Sequence, residues 1–402
     1  GMCYRIVSVT LNDLTRIANT TQSEFSYVLS ARAGISLFSA LLCGWIFNLL
    51  NRQVVLSFSM LLMGIGIFLT PHFPKLVFLL LNQSMVGFAS SCIDTAANAL
   101  ILEMWNEKSN SYMQAVNLFF SLGTLVSPLI ATPFVSSNAS RTTNSNATNS
   151  TEGHKHITLI YSIVAGFTII VFLIVLLFEI LWPYKKPERF LSRKNQIIVE
   201  GDNESEPLIR IDLPRSYYIT FVSLSCLLLS VYGGVEGNIS NYLPTFLRNI
   251  NENISQREND YITSMYAFVF AGFRAISVFL AIKMKPFTMI CISFSLLLFG
   301  NFLLLFFGMT TPTYLWISVC LLAIGCSWVY SCIYSFIEQR IDVTNAFSGL
   351  FVFSGSFLVT LSPLLIGKLI EKFPSIFVYL NITIGGRKAD IDREFMTLDH
   401  GY

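Results

Sequence analysis

An all-α protein that crosses a lipid bilayer many times is the fold class this sequence predicts, and three observations predict it. Hydrophobic residues make up 53% of the 402 and charged residues only 12%, a balance far too apolar for a soluble chain of this length. The apolar residues gather into long segments, and ~20 such residues suffice for a helix to span the hydrocarbon. A charged stretch, Pro183 to Arg215, divides these segments into two groups, and each group carries a Ser-Pro followed by aliphatics, at Leu125–Ile130 and Val359–Ile366. The chain therefore reads as two six-helix bundles related by a pseudo-two-fold axis and joined by a soluble linker.

Taken in order, the chain opens on Gly1 and a short, weakly apolar run to Leu11, broken by Arg5. This run predicts only part of a first helix. Full spans follow at Phe25–Leu50, Val54–Thr70, Leu76–Trp105, Met113–Val135 and Ile157–Trp182. After the linker they fall at Tyr217–Leu247, Tyr261–Lys283, Phe287–Met309, Tyr314–Ile337 and Phe347–Leu369. A last run, Ser375–Ile384, is too short to cross and gives way at Gly385-Gly386 to a polar tail. The expected division is an N-terminal bundle over 1–182, a cytoplasmic linker over 183–215, a C-terminal bundle over 216–384 and a tail over 385–402, with the first and last helices truncated.

Orientation follows from the charges. The linker holds Lys185, Lys186, Arg189, Arg193, Lys194, Arg210 and Arg215, which places it in the cytoplasm by the positive-inside rule, and both termini with it. The sequons at Asn19, Asn138, Asn146, Asn149 and Asn253 then fall on the opposite side, where glycosylation occurs. Asn203 in the linker dissents. The Ser-, Thr- and Asn-rich stretch Ser136–His156 is expected to be an extracellular glycosylated loop.

Several functions are set aside by composition. A net charge of +2 without a basic stripe gives no surface for nucleic acid. The eight cysteines lie almost entirely in apolar segments, where small side chains pack well, and imply no disulfide framework. All four histidines fall in expected loops; His154-x-His156 could bind a metal, but two loop imidazoles without further ligands are far more often solvated. No nucleophile, histidine and acid set marks an enzyme.

Polar residues inside the spans are the informative ones, because each is expensive in hydrocarbon. The richest segment runs from Gln83 to Trp105, where Gln83, Gly87, Ser90, Asp94 and Asn98 share an arc of about 80° at 100° per residue. Such a face is either a clasp between helices or the wall of a water-accessible cavity. The next span carries Gln114, Asn117, Gly123 and Ser127-Pro128. In the second half, Tyr232–Leu247 combines three glycines with Glu236, Asn238, Asn241 and Pro244, the composition of a broken helix lining a cavity. Glu236 could alternatively mark the outer end of that helix. Arg32 and Arg274 also lie within spans, as ion-pair partners or as snorkelling side chains.

Six spans, a cytoplasmic linker and six spans resemble the major facilitator superfamily. Its loop signature is matched at Gly44 and Arg52, with Asn48 and Asn51 standing where the family has Asp and Gly. Asp94-Thr-Ala-Ala-Asn98 resembles the Glu-Thr-Ala-Ala-Asn run of the fucose and glucose/galactose permease branch, and Gly233/Gly234, Glu236 and Asn241-Tyr-Leu-Pro244 resemble its seventh helix. The animal sodium-dependent glucose transporters are similar in carrying Asp at the position of Asp94. The resemblance implies a monosaccharide symporter, for glucose, working by alternating access at the plasma membrane as a monomer. Sodium would be the co-transported cation, with no bound cofactor. Gln83, Asn98, Asn117 and Asn241 would meet sugar hydroxyls, and Asp94 and Glu236 would couple the cation. Proton coupling is the alternative for the ion. A non-transporting scaffold or sorting receptor is the alternative for the protein, suggested by Glu204-x-x-x-Leu208-Ile209 in the linker.

Overall fold

The computed structural model describes residues 1–18, 20–105, 108–139, 148–182, 215–250, 256–308, 311–341, 343–366, 378 and 381. Regular structure among them is helical throughout. The elements are α1 (Met2–Val9), α2 (Leu11–Ile17), α3 (Gln22–Leu49), α4 (Arg52–Leu69), α5 (Leu76–Trp105), α6 (Ser109–Ala139) and α7 (Thr148–Leu181). Beyond the linker come α8 (Arg215–Ile250), α9 (Gln256–Lys283), α10 (Pro286–Leu303), α11 (Pro312–Cys326), α12 (Val329–Glu338) and α13 (Asn345–Ile366).

Local chemistry fixes where these helices start. At α3 the Thr21 hydroxyl accepts from the Glu24 amide at 3.2 Å while the Glu24 carboxylate accepts from the Thr21 amide at 2.9 Å, a reciprocal capping box. At α4 the Asn51 side chain accepts from the Gln53 amide at 3.2 Å, which explains Asn at that place in the tight turn. Pro286 and Pro312 open α10 and α11, where the missing N–H has no helical partner to lose. Among the described residues, nine helical segments are long and apolar enough to cross a membrane.

The side chains are arranged for lipid. Leu129, Ile180, Phe268, Phe279 and Ile282 are each at least 70% exposed, a distribution that suits hydrocarbon and not water. Polar hydroxyls inside the spans are satisfied locally: Ser57, Thr95, Thr168 and Ser225 each donate to the carbonyl four residues back.

Two compact units emerge. Unit 1 holds 1–100, 116–185 and 345–352, and unit 2 holds 101–115, 186–344 and 353–402. In unit 1, α4 lies along α7, and Phe25, Val28, Ile67, Val86, Ile160, Tyr161 and Val164 build the core. The backbones of α3 and α5 touch where a Cβ on Gly87 would run into the Arg32 carbonyl, so only glycine fits there. The start of α13 belongs to this unit: Asn345 donates to the Phe47 carbonyl at 2.9 Å and accepts from Arg52, and Ser348 donates to the Thr95 carbonyl at 3.2 Å. In unit 2, α10 and α11 pack along each other, and α8 meets α13 where a Cβ on Gly233 would strike Gly355.

Four expectations change. The Tyr232–Leu247 region is not broken: α8 runs through Pro244 without interruption. The interruption lies instead in the expected span Tyr314–Ile337, which divides into α11 and α12 at Ser327-Trp328. The Ser136–His156 loop is shorter than the composition suggests, because α6 continues to Ala139 and α7 begins at Thr148; helix hydrogen bonding persists beyond the apolar run. Finally, Cys43 of α3 and Cys92 of α5 are joined as a disulfide, with Cα atoms 5.6 Å apart. Glycine at position 87 brings those two helices close, and spacing along the chain does not reveal it. The run Ser375–Ile384 and the tail fall almost wholly outside the described residues.

Candidate functional site

The polar stripe of α5 serves two purposes along its length. Gln83 is fully buried: its amide oxygen accepts from Arg32 Nη1 at 3.3 Å and its nitrogen donates to Thr70 Oγ1 at 2.9 Å. Asn82 donates to the Gly66 carbonyl at 2.9 Å and to Thr70 Oγ1 at 3.1 Å. The outer part of the stripe is thus a clasp binding α3, α4 and α5. Two turns further in, Ser90 donates back to the Gly87 carbonyl at 2.9 Å, and Asp94 follows.

Asp94 differs from its neighbours in being exposed. Its angular position on α5 falls between those of Gln83 and Gly87, both of which point into unit 1. The opening is therefore on the protein-facing side of the helix, where an acid can meet water or a cation rather than lipid. Asn98, one turn on, projects from the same side and is buried at 6% exposure. Asn117 is half-buried on α6, in the same unit, and its carbonyl accepts from Ser121 Oγ at 3.0 Å.

Unit 2 holds a second polar centre. Glu236 lies well inside α8, not at its end, and its carboxylate meets Arg274 Nη2 of α9 at 3.0 Å. The Arg274 Nε donates to the Ser327 carbonyl at 3.1 Å, and Phe270 stacks 4.2 Å from the guanidinium carbon. Arg274 is thus an ion-pair partner rather than a snorkelling side chain. Asn241 is exposed on α8 about 140° round the helix from Glu236, so these two residues face different ways.

The interruption between α11 and α12 explains the rest of this centre. A helix break in a membrane leaves carbonyls without amide partners, and each must find another donor. Tyr232 donates to the Cys326 carbonyl at 2.7 Å and Arg274 to Ser327, while the Trp328 carbonyl accepts from the Cys332 amide at 3.3 Å and also from Gln114 at 3.0 Å. Ser277 in turn donates to the Gln114 oxygen at 3.0 Å, while Trp328 Nε1 donates to the Met289 carbonyl at 3.1 Å. Tyr232 and Ser327 carry no charge and do not stand out in the sequence, whereas Gln114 is one of the polar residues already visible within its span. Gly325-Cys326-Ser327, a poor helix-forming run, is the one local signal.

Among the described residues no His, Cys, Asp and Glu group could hold a metal ion. The sequons Asn19, Asn146, Asn253 and Asn203 lie outside the described residues, as do the side chains of Asn138 and Asn149.

Comparison with known proteins bears on both units. The sequence model of the Major Facilitator Superfamily matches residues 1–363. The chain is 25% identical to the mouse sodium-dependent glucose transporter 1A, covering 96% of this chain and 90% of that protein. It is 25% identical to the human sodium-dependent glucose transporter 1, covering 97% and 75%. Among solved structures it is similar to the transporter FucP in the outward conformation, with a TM-score of 0.70 and 13% identity over 96% of this chain and 94% of that one. The proton:xylose symporter XylE gives a TM-score of 0.70 and 12% identity over 98% and 92%. With the helical architecture and the family match across nearly all its length, this chain belongs to the major facilitator superfamily of multi-pass membrane transporters.

Proposed function

We propose that the chain is a secondary active transporter that moves a monosaccharide, glucose, across the plasma membrane by alternating access, with sodium as the coupled cation. The observation that carries this reading is the open carboxylate of Asp94 on the protein-facing side of α5, one turn from Asn98. An acid in mid-span with access is suited to a cation, and an amide beside it supplies both a donor and an acceptor for hydroxyls. In this reading Asn98 and Asn117 of unit 1 offer hydrogen bonds to sugar hydroxyls and Gln83 supports them by fixing α5 against α3 and α4, while in unit 2 Asn241 is the amide of the same kind. Asp94 and Glu236 are the coupling carboxylates, the second one already balanced by Arg274. The names of the mouse and human relatives support sodium and glucose.

Proton coupling is the second reading, favoured by the likeness to a proton:xylose symporter. Radiolabelled glucose uptake into proteoliposomes separates the two. Under an inward sodium gradient at equal pH, accumulation above the external concentration is expected; accumulation driven by the pH gradient alone would transfer the coupling to protons. No hexose movement under any gradient, by protein that is folded and inserted, would favour a scaffold.

A further inference from the structure

We infer that unit 1 contains a binding site for a monovalent anion at the guanidinium of Arg32. A guanidinium keeps its charge under all ordinary conditions, so one buried in a membrane span must be balanced. The structure shows how this is done in unit 2, where Glu236 sits 3.0 Å from Arg274. Among the described residues Arg32 has no such partner. It is only 6% exposed, and among the described residues no carboxylate pairs with it.

The side chains around it are neutral. Nη1 donates to Gln83, Tyr4 presents its ring 5.3 Å from the guanidinium carbon, Tyr161 and Cys3 are near, and the Gly1 ammonium adds charge of the same sign. Nη2 is buried without any hydrogen-bond partner. Arg32 also lies ten residues into α3, ~15 Å along the axis, too deep to reach the interface by extending its side chain. A charge of fixed sign with a vacant donor calls for a compact acceptor of charge −1. Chloride meets that requirement, as does the carboxylate of a small organic anion.

The test uses purified protein and involves neither sugar nor a gradient, so its outcome is separate from that of the transport reading. Binding of radiolabelled chloride is measured with sodium isethionate, a bulky sulfonate, holding ionic strength constant, together with the melting temperature in each salt. Saturable binding of about one chloride per chain and a melting temperature that rises with chloride are expected. Arg32→Gln should weaken the binding by about tenfold or more, and Arg32→Lys should retain part of it. Lys283→Gln, which removes an exposed charge at the end of α9, should leave it intact. Saturable binding of radiolabelled formate that exceeds that of chloride and is lost in Arg32→Gln would assign the site to carboxylates. Absence of saturable binding of either anion to the unmodified protein would overturn the inference, and so would binding equal in Arg32→Gln. Should Arg32→Gln fail to fold, the unmodified protein and Arg32→Lys decide.

Discussion

Asn98 and Glu236 illustrate how differently two polar residues can behave in the same membrane. Asn98 is neutral and buried beside an open acid, so its loss should be felt by the substrate more than by the fold. Asn98→Ala is expected to raise the KM for glucose about 5- to 150-fold, as a hydroxyl losing its partner at about 1–3 kcal/mol, with protein yield unchanged. Glu236 is tied to Arg274, and Arg274→Ala would strand both the carboxylate and the Ser327 carbonyl. A stability loss of about 3 kcal/mol is expected, read as a lowered melting temperature in detergent. Removing both charged partners together should restore part of it, and full additivity of the two losses would show that the pair is not coupled. At this scale the sequence reveals which residues are polar and which share a helical face. It does not reveal partners, because Gln83 with Arg32 and Glu236 with Arg274 meet across helices.

The helices show where local composition misleads. Three glycines and Pro244 suggest a break in α8, yet the glycines serve close packing, as at Gly233 against Gly355, and the helix continues. The real interruption, at Ser327-Trp328, is stabilised by donors from α6, α8 and α9. Tyr232→Phe removes one of them while preserving the ring, so a loss of about 1 kcal/mol is expected, measurable as a small fall in melting temperature. No change would show that the Cys326 carbonyl finds another donor. Gly87→Val should do more damage, since its side chain would collide with the Arg32 backbone and separate α3 from α5. The long apolar spans were legible to within a few residues because hydrocarbon imposes length. Disulfide pairing of Cys43 and Cys92 was not, because it depends on how closely two helices approach.

For the whole molecule, the expected division at 183–215 rests on composition, since that stretch carries the densest basic cluster of the chain. The two short exchanges were not readable from it: 101–115 joins unit 2 and 345–352 joins unit 1 through packing of helix ends, which carries no compositional mark. Orientation gives a prediction of its own. Replacing Asn138, Asn146 and Asn149 with Gln should abolish most of the glycosidase-sensitive mobility shift, while replacing Asn203 should leave it; the reverse would invert the topology. The central claim is that Asp94 couples a cation to sugar, and Asp94→Asn tests it most directly because it keeps shape and hydrogen bonding while removing the charge. Sodium-driven accumulation of radiolabelled glucose should be lost in proteoliposomes carrying this variant, while exchange of glucose across the membrane without a gradient survives. Sodium-driven accumulation undiminished in Asp94→Asn would contradict the account.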